Sequence, residues 1–274
     1  MPWTETTRRQ HDRSGQRYAS DCTDEEWRII APFLARTSKV GRRPVHDRRV
    51  IWDAIQYQAT SGCQWRLLPK DFPPFTTVQH YFYRWRDNDL FTLINEVLVT
   101  IGRLVEGRSE TPTAAIIDSQ SVKTTESGGP RGYDAGKKIN GRKRHIITDT
   151  AGNMLEAVVH TADIQDRDGA VPLIEAVKER FSSLVKIFAD GGYSGTKLTA
   201  ALAHIEGVVI EIVKRSDTAK GFVVLPKRWI VERTFAWLNR CRRLAKDWET
   251  LVTSSSAWVH IASIRRMVRS IARA

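Results

Sequence analysis

Cysteine is scarce in this chain. Three residues among 274, Cys22, Cys63 and Cys241, lie far apart, with no CxxC pair and no His cluster beside them. That argues against a disulfide framework and a structural zinc site, and buried reduced thiols are expected. No apolar run approaches the roughly 20 residues that span a bilayer. The start, Met1-Pro2-Trp3-Thr4-Glu5, does not read as a signal peptide, so no membrane association and a cytoplasmic location are expected. Several enzyme signatures are missing too. There is no HExxH, GxSxG or GxGxxG, and Gly132 to Lys138 falls one residue short of a Walker loop, with Lys138 where Ser or Thr belongs. Energy-coupled and hydride-transfer chemistry are therefore not expected. Acidic residues are in deficit: 31 Asp and Glu stand against 43 Lys and Arg, a net charge of +12. Such a surplus calls for a polyanionic partner, because phosphates supply the opposite charge and counterion release drives their binding.

What is present reads as a folded protein, 41% apolar and 27% charged, with nine tryptophans, most of them expected as core anchors, and no internal repeat. Residues 1–20 are polar, basic and aperiodic, which predicts a mobile arm. Residues 21–107 read as a helical domain. Thr23 and Glu26 form a capping box ahead of Trp27, Ile30 and Leu34, with Pro32 set to kink that helix or start a new turn. A basic stretch (Lys39, Arg42, Arg43, Arg48, Arg49) follows, then a helix from about Asp47 that stops at Gly62. After Pro69, Pro73 and Pro74 a third helix opens with Thr76 and Gln79 in capping-box positions. Val78, Tyr81, Phe82 and Trp85 share one stripe of it; His80, Tyr83, Arg84 and Asp87 face the other way, with Gln79 on the flank. Two helices joined by a Pro-rich turn, the second with a polar outer face, suit a helix-turn-helix reader of DNA through Gln79, His80, Tyr83 and Arg84. A plain helical bundle with a solvated face is the alternative. A fourth helix covers about 89–106, and 107–112 reads as a linker.

Beyond Pro112 the period changes. Strands are expected at 113–117, 145–149, 153–160, 184–189 and 208–213, with helices at 169–181, 195–205, 227–246 and 255–272. Residues 123–141, rich in Gly and Lys, fit neither period. The fold class is therefore α/β over 113–274: a mixed sheet with flanking helices in the element order of the ribonuclease-H-like fold, preceded by the small all-α domain.

In that order Asp118 and Asp190 end two neighbouring parallel strands, where open α/β sheets bind their ligands. Two close carboxylates repel unless a cation neutralises them, and Mg2+, a hard ion suited to phosphate substrates, is the natural choice. A capping role for either Asp is the alternative. Glu232 lies between Trp229, Phe235 and Ala236 on an apolar helix, so it is either a third metal ligand or an ion-pair partner of Arg228. Asp163, Asp166 and Asp168 read as caps. Two metal ions held by Asp118, Asp190 and Glu232 would support in-line displacement at phosphorus. Lys123, Arg131, Lys137, Lys138, Arg142, Lys143 and Arg144 surround a glycine-rich loop that suits phosphate, and Arg242 and Arg243 extend the charge along the Glu232 helix.

These residues resemble a known family. Ile117-Asp118-Ser119-Gln120-Ser121-Val122-Lys123, the 129–145 segment, Phe188-Ala189-Asp190-Gly191-Gly192-Tyr193 and Val231-Glu232-Arg233-Thr234-Phe235-Ala236-Trp237-Leu238 are similar to bacterial insertion-sequence transposases of the DDE class, in the group numbered four and five. Gly62-Cys63-Gln64-Trp65-Arg66-Leu67-Leu68-Pro69 and Phe82-Tyr83-Arg84-Trp85 resemble the helical domain that precedes the catalytic one there. The resemblance covers about residues 21–272. It implies Asp118, Asp190 and Glu232 as the catalytic triad and Mg2+ as cofactor, two ions per site with Mn2+ as a substitute. It also implies double-stranded DNA as partner, both terminal inverted repeats and target, a homodimer on that DNA, and a bacterial cytoplasm near the nucleoid. Part of that group carries Tyr, Arg and Lys around the Glu; Arg228 fits the Arg position, whereas Leu225 and Asn239 occupy the other two, so Arg233 and the Arg242-Arg243 pair are candidates for the charge. The expected activity is cleavage at element ends and strand transfer of the 3′ ends. The rivals are a ribonuclease-H-like structure-specific nuclease, a DNA-binding regulator and an inactive transposase copy.

Overall fold

A helix that must bury one apolar stripe needs a partner, and the amino-terminal third supplies several. The computed structural model describes residues 4–35, 44–213 and 227–274. Lys39, Arg42, Arg43 and Leu225 lie outside the described residues. The amino-terminal helices are α1 (Glu5–His11), α2 (Asp24–Leu34), α3 (Arg48–Ser61), α4 (Phe75–Asp87) and α5 (Leu90–Val105). The Thr23 hydroxyl accepts from the Glu26 amide at 3.2 Å while the Glu26 carboxylate accepts from the Thr23 amide at 3.2 Å, the reciprocal cap the sequence called for. Pro32 lies inside α2, which runs on to Leu34. Gly62 ends α3 in the left-handed region at φ 71°, a conformation that costs glycine nothing.

Three expectations for this part are corrected. Residues 4–20 do not behave as a loose arm: α1 is followed by Arg13 ion-paired to Glu26, Arg17 stacked 4.1 Å over the Phe72 ring, and Tyr18 4.7 Å from Tyr57. Arginines and a tyrosine can pack through their stems and rings, which a count of polar residues does not register. The connection from α3 to α4, residues 62–74, contains a 3-10 turn at Trp65–Leu67 and is far longer than the about three to four residues of a helix-turn-helix. Trp65 explains the length, since it reaches Phe82 and Trp258 at 5.5 and 6.0 Å. The cap expected at Thr76 is absent as well; α4 starts at Phe75 behind Pro74 with no side-chain cap.

The sheet contains β1 (Ala114–Lys123), β2 (Gly132–Asp134), β3 (Ile139–Asp149), β4 (Met154–Thr161), β5 (Lys186–Ala189) and β6 (Val209–Ile212). β5 pairs parallel with both β1 and β6, and β3 lies antiparallel between β1 and β4. This is the mixed ribonuclease-H-like order expected from the sequence. β1 and β3 run longer than expected, turning the glycine-rich region into a ribbon. Lys123 pairs with Gly141, and β2 shares the outer edge of β3 with β4. A side chain at Gly141 would drive into the Val122 carbonyl, so this glycine serves close strand approach.

The helices α6 (Asp166–Arg180), α7 (Thr196–Ala201), α8 (Arg228–Leu238) and α9 (Val252–Ile271) complete the chain. α9 packs against β4 and also against α2, α3, α4 and α5. One apolar core therefore runs from Ile30 and Trp52 through Trp258 and Ile264 to Ile116 and Leu155. Among the described residues, no helix is long and apolar enough to cross a membrane. Cys22 and Cys241 are buried and Cys63 is half-buried, all three as free thiols.

Candidate active site

β1 leaves its pairing with β5 at Ile116 opposite Phe188. Beyond that point the edge of β1 is free, and Asp118 is the next residue but one. β5 ends at Ala189, so Asp190 follows directly and caps the short turn Gly191–Tyr193, its Oδ1 accepting from the Gly192 amide at 2.8 Å. α8 brings a third acid, Glu232. All three meet one guanidinium. Arg228 Nη2 lies 3.3 Å from Asp118 Oδ2 and 3.7 Å from Glu232 Oε1, while its Nη1 lies 3.1 Å from Asp190 Oδ2. Three carboxylates drawn from a strand, a strand end and a helix thus converge on a single cation.

Burial raises the Asp118 carboxyl above the ordinary aspartate range, with Arg228, the Ser119 amide and Lys137 pulling the other way. Asp118 Oδ1 accepts from that amide at 2.7 Å. Glu232 differs from its expected setting. It is 59% exposed, and the buried face of α8 is Ile230, Val231, Thr234, Phe235 and Leu238. Trp229 is not part of that face; it is exposed and stacks under Arg233 at 4.4 Å. Counting Trp229 as core put Glu232 on the wrong stripe.

A second layer lies against Asp118, and most of it was not legible as a site. Asp166, read as a cap, accepts from Ser119 Oγ at 2.9 Å and from Lys143 Nζ at 2.8 Å. The Asp166 carboxyl is held below the usual range; burial opposes this, but hydrogen bonds from Lys143 and Ser119 outweigh it. Lys137 Nζ reaches the Ser119 carbonyl at 3.1 Å. Deeper still, His145 Nδ1 and His160 Nε2 are 2.8 Å apart. His160 Nδ1 must donate to the Thr161 carbonyl 2.8 Å away, so its Nε2 is the acceptor and His145 Nδ1 carries the proton. Burial, and for His145 also its neighbour, keeps both rings neutral by lowering their pKa values. Tyr193 is buried against the edge of the His145 ring at 5.9 Å. By sequence Asp166 reads as a cap and Lys143 as a phosphate contact, and Ser119 and Tyr193 stand only within the motifs; nothing in the letters joins them into one layer.

The expected cationic residues divide. Lys123, Arg131, Lys137 and Lys138 are exposed on the ribbon. Arg142 and Arg144 are buried, a correction to the expected solvent-facing loop. Arg142 holds Asp247 at 3.1 Å, Ser255 at 2.8 Å and the Thr250 carbonyl at 2.8 Å. Arg144 donates to the Leu244 and Lys246 carbonyls at 2.7 and 3.2 Å. Both clamp the segment after α8 onto β3, a role that a run of basic letters cannot reveal. Lys143 is spent on Asp166. Arg242 and Arg243 are not on the Glu232 helix, which ends at Leu238. Arg242 is exposed on a short turn packed against Gly62, and Arg243 is buried on Glu249 and the Cys63 carbonyl. Arg233 is half-buried and donates to the Ala151 carbonyl at 2.9 Å. On α4, His80, Tyr83 and Arg84 are exposed and Gln79 donates to the Tyr83 hydroxyl at 3.0 Å, while Val78, Phe82 and Trp85 are buried as the stripe required.

Comparison with known proteins identifies the family. The family model described as "Transposase DDE domain" matches residues 109–266, more than half of the chain and all three convergent acids. A second, "Putative transposase of IS4/5 family", matches residues 22–95. A Burkholderia cepacia protein described as "Putative transposase for insertion sequence element IS402" is 35% identical over 136 residues, 47% of this chain. An uncharacterized protein of Sinorhizobium fredii, y4sN, is 30% identical over 80 residues, 29% of this chain. The matched segments span 62% of each relative's own length. No solved structure matches the chain. A family match over more than half the residues, with Asp118, Asp190 and Glu232 gathered at the strand ends inside it, leads to one statement: the chain belongs to the transposase DDE domain family.

Proposed function

We propose that this protein is a DNA transposase that cuts DNA at the ends of its own element and joins the freed 3′ ends to target DNA. The observation carrying the reading is the convergence of Asp118, Asp190 and Glu232, from three separate elements, on the Arg228 guanidinium. Three acids around one cation leave an excess of negative charge, and carboxylate oxygens are the donors that hard divalent ions prefer. The donor set therefore fits Mg2+ or Mn2+, with Asp118, Asp190 and Glu232 as the residues that would hold it. When bound, such ions activate a water or a 3′-hydroxyl and stabilise the leaving oxygen at phosphorus.

The protein's own groups do the rest. Among the described residues, no three His, Cys, Asp or Glu side chains stand close enough together to ligate an ion as they are, because the guanidinium spaces the triad. Arg228 must withdraw for the acids to close up, and a substrate phosphate is a fitting new partner for its fork. Asp166 fixes Ser119 and Lys143 beside Asp118, which steadies the strand that carries the first acid. Lys137 and Lys138 on the ribbon supply positive charge for the DNA backbone next to the cut. The working assembly is a dimer on paired ends in the bacterial cytoplasm.

The test is cleavage of a supercoiled plasmid carrying the DNA that flanks this gene. Mg2+-dependent cuts at the element ends are expected, lost in Asp118→Asn and Glu232→Gln while DNA binding persists. Full cutting by Asp118→Asn, or cutting that ignores the ends and prefers branched DNA, would overturn the proposal.

A further inference from the structure

Between the far side of α8 and α9 lies a cleft of about 470 Å³ that the triad does not use. Six arginines line it: Arg233 on α8, Arg240 just past its end, Arg265, Arg266 and Arg269 on α9, and Arg273 just past that end. Their spacing follows from helix geometry. Arg265 and Arg269 are four residues apart, as are Arg233 and Trp237, so each helix turns one row toward the other. Trp237 lies between the rows, with Arg233 and Arg266 stacked on it at 4.3 and 4.7 Å.

Charge in this cleft is poorly balanced. Arg266 donates to the Gly152 carbonyl at 3.0 Å, Arg265 to the Ser20 carbonyl at 2.9 Å and Arg269 to the Ala19 carbonyl at 3.0 Å, all neutral acceptors. Glu26 is 3.8 Å from Arg269 but already pairs with Arg13, and Glu106, a lining carboxylate, is 3.3 Å from Arg108. Burial and then the neighbouring arginines press Arg269 down to about 9, and burial presses Arg266 down to about 10. Six cations gathered at a partly desolvated groove without matching acids cost stability in the free protein, and an anion offsets that cost.

We infer that this cleft is a second DNA contact, holding the phosphodiester backbone of duplex DNA away from the reacting phosphate. The inference rests on the DNA-acting reading above. Guanidinium forks match phosphate oxygens two at a time, and two facing rows suit a continuous backbone better than a single small anion. Position supports DNA as the occupant. Arg233 directly follows Glu232 on α8, so a duplex engaged at the triad continues around one helix to reach the cleft.

Arg240 and Arg273 are the exposed members, and neither side chain holds a fold contact among the described residues of the kind seen at Arg265 and Arg266. The test uses the full chain, a short labelled duplex of arbitrary sequence, and anisotropy over a salt series, comparing wild type with the double variants R240Q/R273Q and R240E/R273E. Each phosphate contact adds about 0.9 to the slope of log affinity against log salt, so loss of two lowers the slope by about 1.8 and affinity by on the order of tenfold. The charge-reversed variant falls further, with circular dichroism unchanged in both. Variants that bind like wild type with the same slope overturn the cleft alone. Wild type that binds no duplex overturns the cleft and the DNA-acting reading together. Cleft-dependent binding without cutting at element ends leaves the cleft standing and overturns only the transposase reading. Inorganic polyphosphate that quenches Trp237 and is not displaced by duplex assigns the cleft to a free anion and overturns the proposal.

Discussion

A single side chain, Arg228, decides the electrostatics of the candidate site. Its own exposure is 9% and that of Asp118 is 17%, so the contact between them is only weakly screened. Removing one partner of a buried pair leaves the other desolvated and unpaired, which costs more than the pair contributes. Arg228→Gln is therefore expected to lose about 1–3 kcal/mol of stability without divalent ions, and to regain much of it with Mg2+, which supplies the missing positive charge. Thermal melts of wild type and variant with and without Mg2+ test this. Equal stabilisation of both proteins by Mg2+ would remove Arg228 from the role of counterion. At this scale the sequence was partly legible. The residue types and strand-end positions of Asp118 and Asp190 pointed to one edge of a sheet, and Arg228 stood four residues before Glu232. What the letters could not carry was that one guanidinium reaches all three acids, because that depends on where α8 docks across the strands.

At the level of elements, turn glycines, caps and apolar periods placed most helices and strands, and the errors share a cause. β1 was expected to stop at Asp118 because a charged residue ends an apolar run, yet it continues to Lys123 since β3 pairs with it throughout. α8 was expected to reach residue 246, but the chain turns at Asn239 so that Arg243 can meet Glu249. Tertiary partners overrode local pattern in both cases. The seating of α6 is a third such case. Gly169 sits where a Cβ would lie 2.6 Å from His145 Nδ1 and would collide with His160 Nε2, so the helix rides directly on the buried His pair. Gly169→Ala should push α6 off β3 and cost about 1–3 kcal/mol, despite the better helix propensity of alanine. Urea unfolding measures it. An unchanged or raised midpoint would mean that α6 can shift without loss, and that Asp166 is not fixed by this contact.

Across the whole molecule, α9 ties the helical region to the sheet through a core without a break, and an ion pair inside that junction sets how stability varies with pH. His260 on α9 lies 2.9 Å from Glu156 Oε1 on β4, and Arg180 of α6 pairs with the same carboxylate. Burial works against a charged His260, but the charge and hydrogen bond of Glu156 raise its pKa above the ordinary value of 6.5. Burial likewise opposes a charged Glu156, yet His260 and Arg180 bring it down to about 2. The two shifts act on opposite sides of neutrality. The raised pKa of His260 contributes stability that is complete below 6.5 and fades as pH rises through the folded value. The depressed pKa of Glu156 contributes stability that is complete above 4.5 and fades as pH falls toward about 2. Both contributions are present together from 4.5 to 6.5, where this pair contributes most. His260→Gln should lower the melting temperature most in that window and progressively less as the pH rises through the folded pKa of His260, where the wild-type ring gives up its proton. Glu156→Gln should be costly across neutral pH because it strands Arg180 as well. If wild type and His260→Gln lose stability in parallel from mildly acidic to mildly alkaline pH, the histidine is not charged in the folded protein, and the joint between α9 and the sheet rests on apolar packing alone.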